Sequence, residues 1–310
     1  MNSGDIGFML ICSALVLLMT PGLAFFYGGL VRRKNVVNTM MTSIFVIGIA
    51  AVMWALFGYS LAFGNDHFGI IGDFSWLGLQ GIEGSTTDYV STIPHLEFAI
   101  FQMMFAIITQ ALITGAVAGR MKFKALFLFI ILWSVIVYYP MAHMVWGLGG
   151  FLAKIGSIDF AGGNVVHISS GVSALILCIV LGKRKDYLRV QYHVHNIPFV
   201  VLGASLLLFG WFGFNAGSAL QANELAVHYF ITTGLSAASG MLSWMGMDVW
   251  MSGKPTLVGS VTGMVVGLVA ITPGAGFVPI WSSIIIGLAG SPICYLMISK
   301  VKQKLGYYDA

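Results

Sequence analysis

Long apolar segments recur along almost the whole sequence, and they restrict the chain to folds whose outer surface faces hydrocarbon. Of the 310 residues, 58% are hydrophobic and only 8% are charged, whereas a soluble domain carries about 25% charged residues. A membrane-spanning helix needs about 17–25 mainly apolar residues. Nine segments fit or approach that length, at residues 8–30, 39–63, 97–119, 125–143, 160–181, 198–216, 225–247, 256–272 and 278–299. The sequence therefore predicts an all-α polytopic membrane protein with nine transmembrane helices.

The eighth of these segments is the weakest, because it is short and contains Gly259, Gly263 and Gly267. A partly re-entrant segment is the alternative there. Glycine is abundant throughout, with 39 residues, and small residues let helices pack closely where lipid removes the hydrophobic driving force. We therefore expect close helix contacts at the glycines rather than phosphate-binding loops, whose motifs the sequence does not contain.

The basic residues predict the orientation of the segments. Of the 15 lysines and arginines, all but Lys154 follow an odd-numbered segment: Arg32, Arg33, Lys34, Arg120, Lys122, Lys124, Lys183, Arg184, Lys185, Arg189, Lys254, Lys300, Lys302 and Lys304. Because positive charge stays on the cytoplasmic side, the odd-numbered ends are predicted to be cytoplasmic and the N-terminus outside. Such regular alternation also supports the count of nine. The N-terminus has no positive region, so we expect no cleaved signal peptide.

The sequence indicates neither cofactor nor catalytic chemistry. The three cysteines, Cys12, Cys178 and Cys294, each lie in an apolar segment and form no CxxC pair, so no metal site or disulfide framework is expected. No HExxH motif occurs, and Asp159 and His167 are too far apart to be close neighbours on a helix. The net charge of +4 is explained by the basic residues that mark the cytoplasmic ends of the segments, so it does not indicate nucleic-acid binding. We expect a protein that is not an enzyme and binds no cofactor or metal.

His167 is a titratable residue inside the fifth apolar segment. If that helix begins at Phe160, His167 lies roughly 10 Å along it, within a hydrocarbon core about 30 Å thick. Ionisable groups at that depth are costly and usually functional, although a neutral histidine bonded to a neighbouring helix is the alternative. Asp159 precedes the helix and is either an N-cap or the source of a negative field for an incoming cation.

The predicted topology brings distant motifs to the outer side of the membrane. Segments three, four and six place candidate aromatic and hydroxyl side chains there: Phe105, Trp146, Phe214 and Ser218. Aromatic faces with a hydroxyl can hold a small cation, whereas an interfacial belt for Trp146 and simple packing for Ser218 are the alternatives. We expect His143 at the membrane interface, His193 and His195 in a solvated cytoplasmic loop, and Asn215 and Asn223 at helix contacts or helix ends.

The one long loop, residues 64–95, is also predicted to lie outside. It carries Asp66, Asp73, Glu83 and Asp88 and no lysine or arginine. A solvated loop is the favoured interpretation, and a weak cation-attracting field is the alternative.

Several motifs in order make the chain resemble the ammonium transporter, methylammonium permease and Rhesus protein family, and its bacterial branch most. They are PGLAFFYGGL at 21–30, AHMVW at 142–146, DFAGGNVVH at 159–167, GKR at 182–184, GWFGFNAGS at 210–218, GKP at 253–255 and TPGAG at 272–276. The resemblance covers nearly the whole chain. It implies a cell-membrane homotrimer of eleven-helix subunits, each with its own pore and built from two inverted five-helix repeats. Residues 1–310 would form one transmembrane domain, with the first repeat at 1–182 and four helices of the second at 196–299.

The resemblance also implies roles for the candidate residues. Phe105, Trp146 and Ser218 match the family's outer ammonium-recruitment site, and Asp159 matches the acid near it. Phe105 and Phe214 match a stacked phenyl gate, and His167 matches the first of two histidines in a hydrophobic pore. The expected function is recruitment of ammonium, loss of a proton, and passage of ammonia. A cytoplasmic PII-type signal protein is the implied partner.

The match departs from the family beyond the ninth segment. The tenth helix of the family, with its DxFxxHGxxG motif and second histidine, has no counterpart in these 310 residues, and neither do the eleventh helix and the tail that would support PII docking. We therefore expect this chain by itself to bind ammonium without conducting it. A longer parent chain is the preferred explanation, a truncated non-conducting paralogue the second. An ammonium sensor is the alternative function.

Overall fold

The computed structural model describes residues 1–183 and 194–305. In these residues eight helical segments are long and apolar enough to cross a membrane: Ser3–Leu30, Arg33–Phe63, His95–Val117, Phe123–Lys154, Gly163–Leu181, Ile197–Gly217, Glu224–Ser252 and Ile280–Val301. A ninth apolar helix, Leu257–Ile271, has 15 residues. The nine predicted segments are confirmed, and the weakest one is a single uninterrupted helix. Arg184, Lys185, Arg189 and His193, all assigned to a cytoplasmic loop, lie outside the described residues.

Several of the segments are built from more than one element. The α-helices in chain order are α1 Ser3–Leu30, α2 Val36–Met53, α3 Tyr59–Phe63, α4 His95–Thr114, α5 Phe123–Trp133, α6 Tyr139–Trp146, α7 Phe151–Lys154, α8 Ser169–Leu181, α9 Ile197–Gly217, α10 Glu224–Ser252, α11 Leu257–Ile271, α12 Ile280–Leu296 and α13 Lys302–Leu305. Turns of π-helix interrupt four segments, at Trp54–Gly58, Ser134–Tyr138, Gly163–Ile168 and Met297–Val301. Such turns often occur at functional sites, and the third contains His167.

Polar side chains begin several of the helices. The side chains of Asn2, Asn196, Asn223 and Thr256 accept backbone N–H groups in the first turns of α1, α9, α10 and α11, which satisfies donors that have no partner inside the helix. Asn223 is therefore a helix-end residue. Asn215 is a packing residue, because its Nδ2 donates to Thr233 Oγ1 at 2.9 Å between α9 and α10. Both expectations for these asparagines are confirmed.

Glycine sets the distance between the most closely packed helices. A Cβ on Gly203 of α9 would lie 2.3 Å from the backbone nitrogen of Phe26 in α1. In α11, a Cβ on Gly267 would lie 2.1 Å from the carbonyl oxygen of Ser236 in α10. Backbone meets backbone at both contacts, as expected where small residues replace the hydrophobic effect. The glycines that made the eighth segment look weak are thus its packing surface.

The outer loop packs onto the helix ends, so the expectation of a solvated loop is wrong for part of it. Ile82, Val90 and Ile93 are buried in the core. A short antiparallel hairpin pairs β1, Asp66–His67, with β2, Ile71–Gly72. The burial of these loop residues depends on contacts with the helices, so loop composition did not indicate it.

Two further expectations concern histidines. His143, predicted to lie at the membrane interface, is fully buried and bonded to Asp66 of the hairpin. Since α6 continues to Trp146, past the predicted end of the fourth segment, His143 lies within the helix. His195 is exposed, as expected.

Candidate functional site

A cavity of about 170 Å³ lies where the outer loop meets the helix ends. Three of the predicted site residues, Phe105, Trp146 and Ser218, line it together. The remaining lining residues are Phe63, Tyr89, Phe98, Gln102, Phe160 and Leu220. We call this cavity the outer pocket.

Aromatic rings form most of its wall. The rings of Phe105 and Trp146 meet edge to face, with centroids 5.8 Å apart and planes at 86°. Trp146 Nε1 donates to the carbonyl oxygen of Asp159 at 3.0 Å, and this bond fixes the indole. Tyr89 stacks on Phe98 at 4.9 Å. Ring faces of this kind attract small cations.

The polar atoms at the pocket are mainly acceptors. Ser218 Oγ donates to the carbonyl of Phe214 at 2.8 Å, which leaves the hydroxyl lone pairs available. Gln102 is buried, and its Oε1 has no hydrogen-bond partner among the described residues. Tyr89 Oη accepts from the backbone N–H of Leu148 at 2.9 Å, and burial raises the pKa of Tyr89 to about 12. The pocket therefore suits a small cation that carries N–H donors.

A pair of phenyl rings closes the pocket on its inner side. The centroids of Phe105 and Phe214 are 4.4 Å apart, and their planes are tilted by 40°. Both side chains are almost completely buried. The two rings that the resemblance assigns to a stacked gate are therefore close together and tilted rather than parallel.

His167 lies directly behind this ring pair. Its imidazole stacks on Phe214 with centroids 5.9 Å apart, and on Trp211 with centroids 5.4 Å apart. Its Nε2 is buried and forms no hydrogen bond to any described residue, so the structure does not favour a histidine bonded through Nε2 to a neighbouring helix. His167 also lines a second cavity of about 280 Å³ with Tyr27, Leu112, Gly115, Ala116, Ser170, Gly171, Ala174 and Val269.

Asp159 begins the helix that carries His167. Its Oδ1 accepts from the N–H groups of Gly162 and Gly163 at 2.7 and 2.6 Å, and its Oδ2 from those of Asn164 and Val165 at 2.7 and 3.0 Å. The carboxylate is buried and is not among the groups that line the outer pocket. Burial raises the pKa of Asp159, and the four hydrogen bonds oppose that shift. The side chain therefore accepts the first N–H groups of the helix, as an N-cap does, although the N-cap position itself is Gly162.

The helix consequently starts later than expected. Gly162 has φ +114°, a conformation that favours glycine, and helical structure begins at Gly163 instead of Phe160. His167 is therefore only four residues from the outer end of its helix, closer to the outer pocket than a start at Phe160 implies.

Sequence reasoning missed six of the residues that line the pocket. Gln102 carried a signal, because an amide in an apolar helix three residues before Phe105 is unusual. Tyr89 carried none, because the outer loop brings it to the pocket through contacts that are distant in the chain. Phe63, Phe98, Phe160 and Leu220 resemble ordinary core residues in composition.

Comparison with known proteins identifies a family for this chain. The model of the Ammonium Transporter Family matches residues 7–310. The ammonium transporter of Bacillus subtilis is 51% identical over 310 residues, covering all of this chain and 76% of its own length. That of Aquifex aeolicus is 49% identical, covering all of this chain and 72% of its own length.

Solved structures match as well. Saccharomyces cerevisiae Mep2 superimposes with a TM-score of 0.94 at 38% identity, over all of this chain and 69% of that one. A structure described as a sensor Amt protein gives 0.92 at 26% identity, over 99% of this chain and 77% of that one. The family match, with the apolar helices, makes this a multi-pass membrane protein. The chain belongs to the ammonium transporter family.

Proposed function

We propose that the protein binds ammonium in the outer pocket, that the bound ion releases a proton to water on the outer side of the Phe105–Phe214 ring pair, and that the remaining ammonia passes along His167. The observation that carries the proposal is the order of the groups. A cation-attracting aromatic pocket, a closed ring pair and an unpaired histidine nitrogen follow one another along a single line of contacts.

The outer pocket supports selection of a cation with N–H donors. The aromatic rings offer cation–π attraction, and Ser218 and Gln102 offer oxygens that can accept hydrogen bonds. Crossing hydrocarbon as a cation is costly. Ammonium avoids that cost by leaving its proton behind, whereas a potassium ion has no proton to lose. Asp159 supports the site indirectly, because its carbonyl holds Trp146 and its carboxylate starts the helix of His167.

His167 supports the step that follows. Its buried Nε2 has no partner among the described residues, so it is available to exchange a hydrogen bond with neutral ammonia. The ring stacking on Phe214 and Trp211 holds it in that position. The larger cavity on its other side would receive the ammonia.

We also propose the arrangement in the cell. The distribution of basic residues supports an N-terminus outside the cell membrane. Family membership supports a homotrimer, a PII-type partner at the cytoplasmic face, and the repeats at 1–182 and 196–299. It equally supports a transporter without enzymatic activity.

An ammonium sensor is the second candidate function. The structural match to a sensor Amt protein favours it. Both functions use the same outer pocket, so binding alone does not distinguish them. Uptake of labelled methylammonium by a cell without its own ammonium transporters does distinguish them. Uptake supports transport, and it contradicts both sensing and the expectation that these 310 residues bind ammonium without conducting it.

The substitution Trp146→Leu tests the pocket itself. We expect it to weaken methylammonium binding by about tenfold, because it removes an indole face from a desolvated cation site. Ser218→Ala should weaken binding by a smaller factor. The measurement is binding of labelled methylammonium to purified protein in nanodiscs. Trp250→Leu is the matched control, because Trp250 is exposed on α10 and does not line the pocket. Equal affinities for the Trp146 and Trp250 variants would contradict the proposal.

A further inference from the structure

His143 is a buried histidine with a hydrogen-bond acceptor at each ring nitrogen. Its Nδ1 lies 3.0 Å from the carbonyl oxygen of Ala62, and its Nε2 lies 3.0 Å from Oδ1 of Asp66. A neutral imidazole carries one N–H and can satisfy only one of two acceptors. The imidazolium carries two and satisfies both. The geometry therefore requires the charged form of His143 if Asp66 is ionised.

The surroundings of Asp66 keep it ionised. The hydrogen bond from His143 lowers the pKa of Asp66, with the backbone N–H of Gly69 and the charge of Lys154 acting in the same direction against burial. Gly69 donates to Oδ1 at 2.7 Å, and Lys154 Nζ lies 3.7 Å from Oδ2. An Asp66 that donates its own proton to His143 would give up these interactions. The positive charge of the buried His143 is thus paired with the carboxylate of Asp66, which Gly69 and Lys154 also contact.

This charged pair joins three elements, of which two line the outer pocket. His143 is on α6, three residues before the lining residue Trp146. Ala62 is on α3 and precedes Phe63, which also lines the pocket, whereas Asp66 begins the hairpin of the outer loop. The fit is tight: a Cβ on Gly149, which has φ +91°, would lie 3.0 Å from the Asp66 side chain. Two walls of the pocket are therefore tied to one imidazolium.

We propose that His143 is a positioning residue for the outer pocket and acts as an imidazolium held by Asp66, so that affinity for the cation depends on the protonation of a residue that does not touch it. The inference rests on the proposed function of the pocket. The inference concerns the His143–Asp66 pair alone. It states that both ring nitrogens of His143, a residue outside the proposed pore, carry a proton.

The dependence on pH follows from the two partners. The pair requires Asp66 to be ionised and His143 to be protonated. It is lost at low pH, as pH falls through the lowered pKa of Asp66, and it is lost whenever His143 is neutral, because a neutral imidazole donates to only one of its two acceptors. Lys154 on α7 and Asp66 on β1 are the charged groups that face this cluster among the described residues. Weakening at alkaline pH, where proton loss leaves the imidazole neutral, is the experimentally useful side.

The substitution Asp66→Asn removes the charge of residue 66 but keeps its hydrogen bond to His143. The amide can donate to Nε2 of a neutral His143, while Nδ1–H still donates to Ala62. The contact then survives without a proton on both nitrogens. We expect methylammonium affinity of the unchanged protein to fall by about tenfold between about pH 6 and about pH 9, the loss typical of one charge-assisted hydrogen bond. Asp66→Asn should show a much flatter profile. Methylammonium remains a cation throughout, as an alkylammonium resembles the lysine side chain.

A direct measurement is the nitrogen NMR spectrum of protein with labelled histidines in nanodiscs. His143→Gln identifies the His143 signals, and His195→Gln, in an exposed loop, is the control. Two protonated nitrogens near neutral pH, with one proton-free nitrogen in Asp66→Asn, support the inference. A proton-free nitrogen of His143 in the unchanged protein overturns it, as does an identical pH profile in Asp66→Asn. The proposed function fails separately, through an unchanged affinity in Trp146→Leu, and the NMR result does not depend on it.

Discussion

Asp159→Asn is expected to lower the free energy of unfolding by about 3–5 kcal/mol, the largest effect among the site residues. The carboxylate accepts four backbone N–H groups while buried. An amide of the same shape has one acceptor oxygen, and it turns N–H donors toward N–H groups. Each lost bond to a charged group costs about 1.5–3 kcal/mol. The midpoint of thermal unfolding in detergent measures the loss.

The matched control for this variant is Glu83→Gln, which makes the same charge change on an exposed loop residue. Surface changes of this type usually alter stability by less than about 0.5 kcal/mol. If the two variants unfold at the same temperature, Asp159 does not begin the helix in the way described. Methylammonium binding should fall with Asp159→Asn as well, because Trp146 and His167 lose their common support.

Gly203→Ala is expected to destabilise the protein by about 1–2 kcal/mol, the cost of overpacking less the gain in helix propensity. The added methyl group would lie 2.3 Å from the backbone nitrogen of Phe26 and 2.5 Å from the carbonyl oxygen of Gly22. Backbone atoms cannot rotate away, so α1 and α9 must separate, and overpacking of this kind costs about 1–3 kcal/mol. The gain of up to about 1 kcal/mol from alanine in a helix offsets only part of it. The same unfolding measurement applies.

Gly246→Ala provides the comparison, because an added Cβ there meets no atom within 4 Å. That variant should be unchanged or slightly more stable, since only the helix propensity differs. A Gly203 variant that behaves in the same way would show that the close contact between α1 and α9 does not limit stability.

The architecture was predictable because hydrocarbon imposes a simple rule on sequence. Each segment had to be apolar over its whole length, and the basic residues marked alternate ends, so nine helices could be read without contact information. Phe105, Trp146 and Ser218 were then predicted to meet from the order of the segments. The resemblance to a known family assigned their roles.

The remaining features depend on details that hydropathy does not contain. The start of the helix at Gly163 depends on the positive φ of Gly162 and on the carboxylate of Asp159. The burial of His143 depends on a partner in the outer loop, 77 residues earlier in the chain. Tyr89 reaches the pocket by a similar long-range contact. In each case the deciding interaction joins residues that no local pattern relates.

Asp159 also has an electrostatic consequence for an approaching ion. The first turn of a helix carries roughly half a positive charge, and here that turn begins beneath the pocket in which we propose that ammonium binds. The four N–H donors favour the ionised form of the carboxylate against the effect of burial, and a full negative charge exceeds the half charge of the helix end. Under the proposed function, an arriving ammonium then meets no repulsive helix terminus, and an anion loses the binding site that a bare terminus would offer. In that proposal one side chain both caps the helix and disfavours anions.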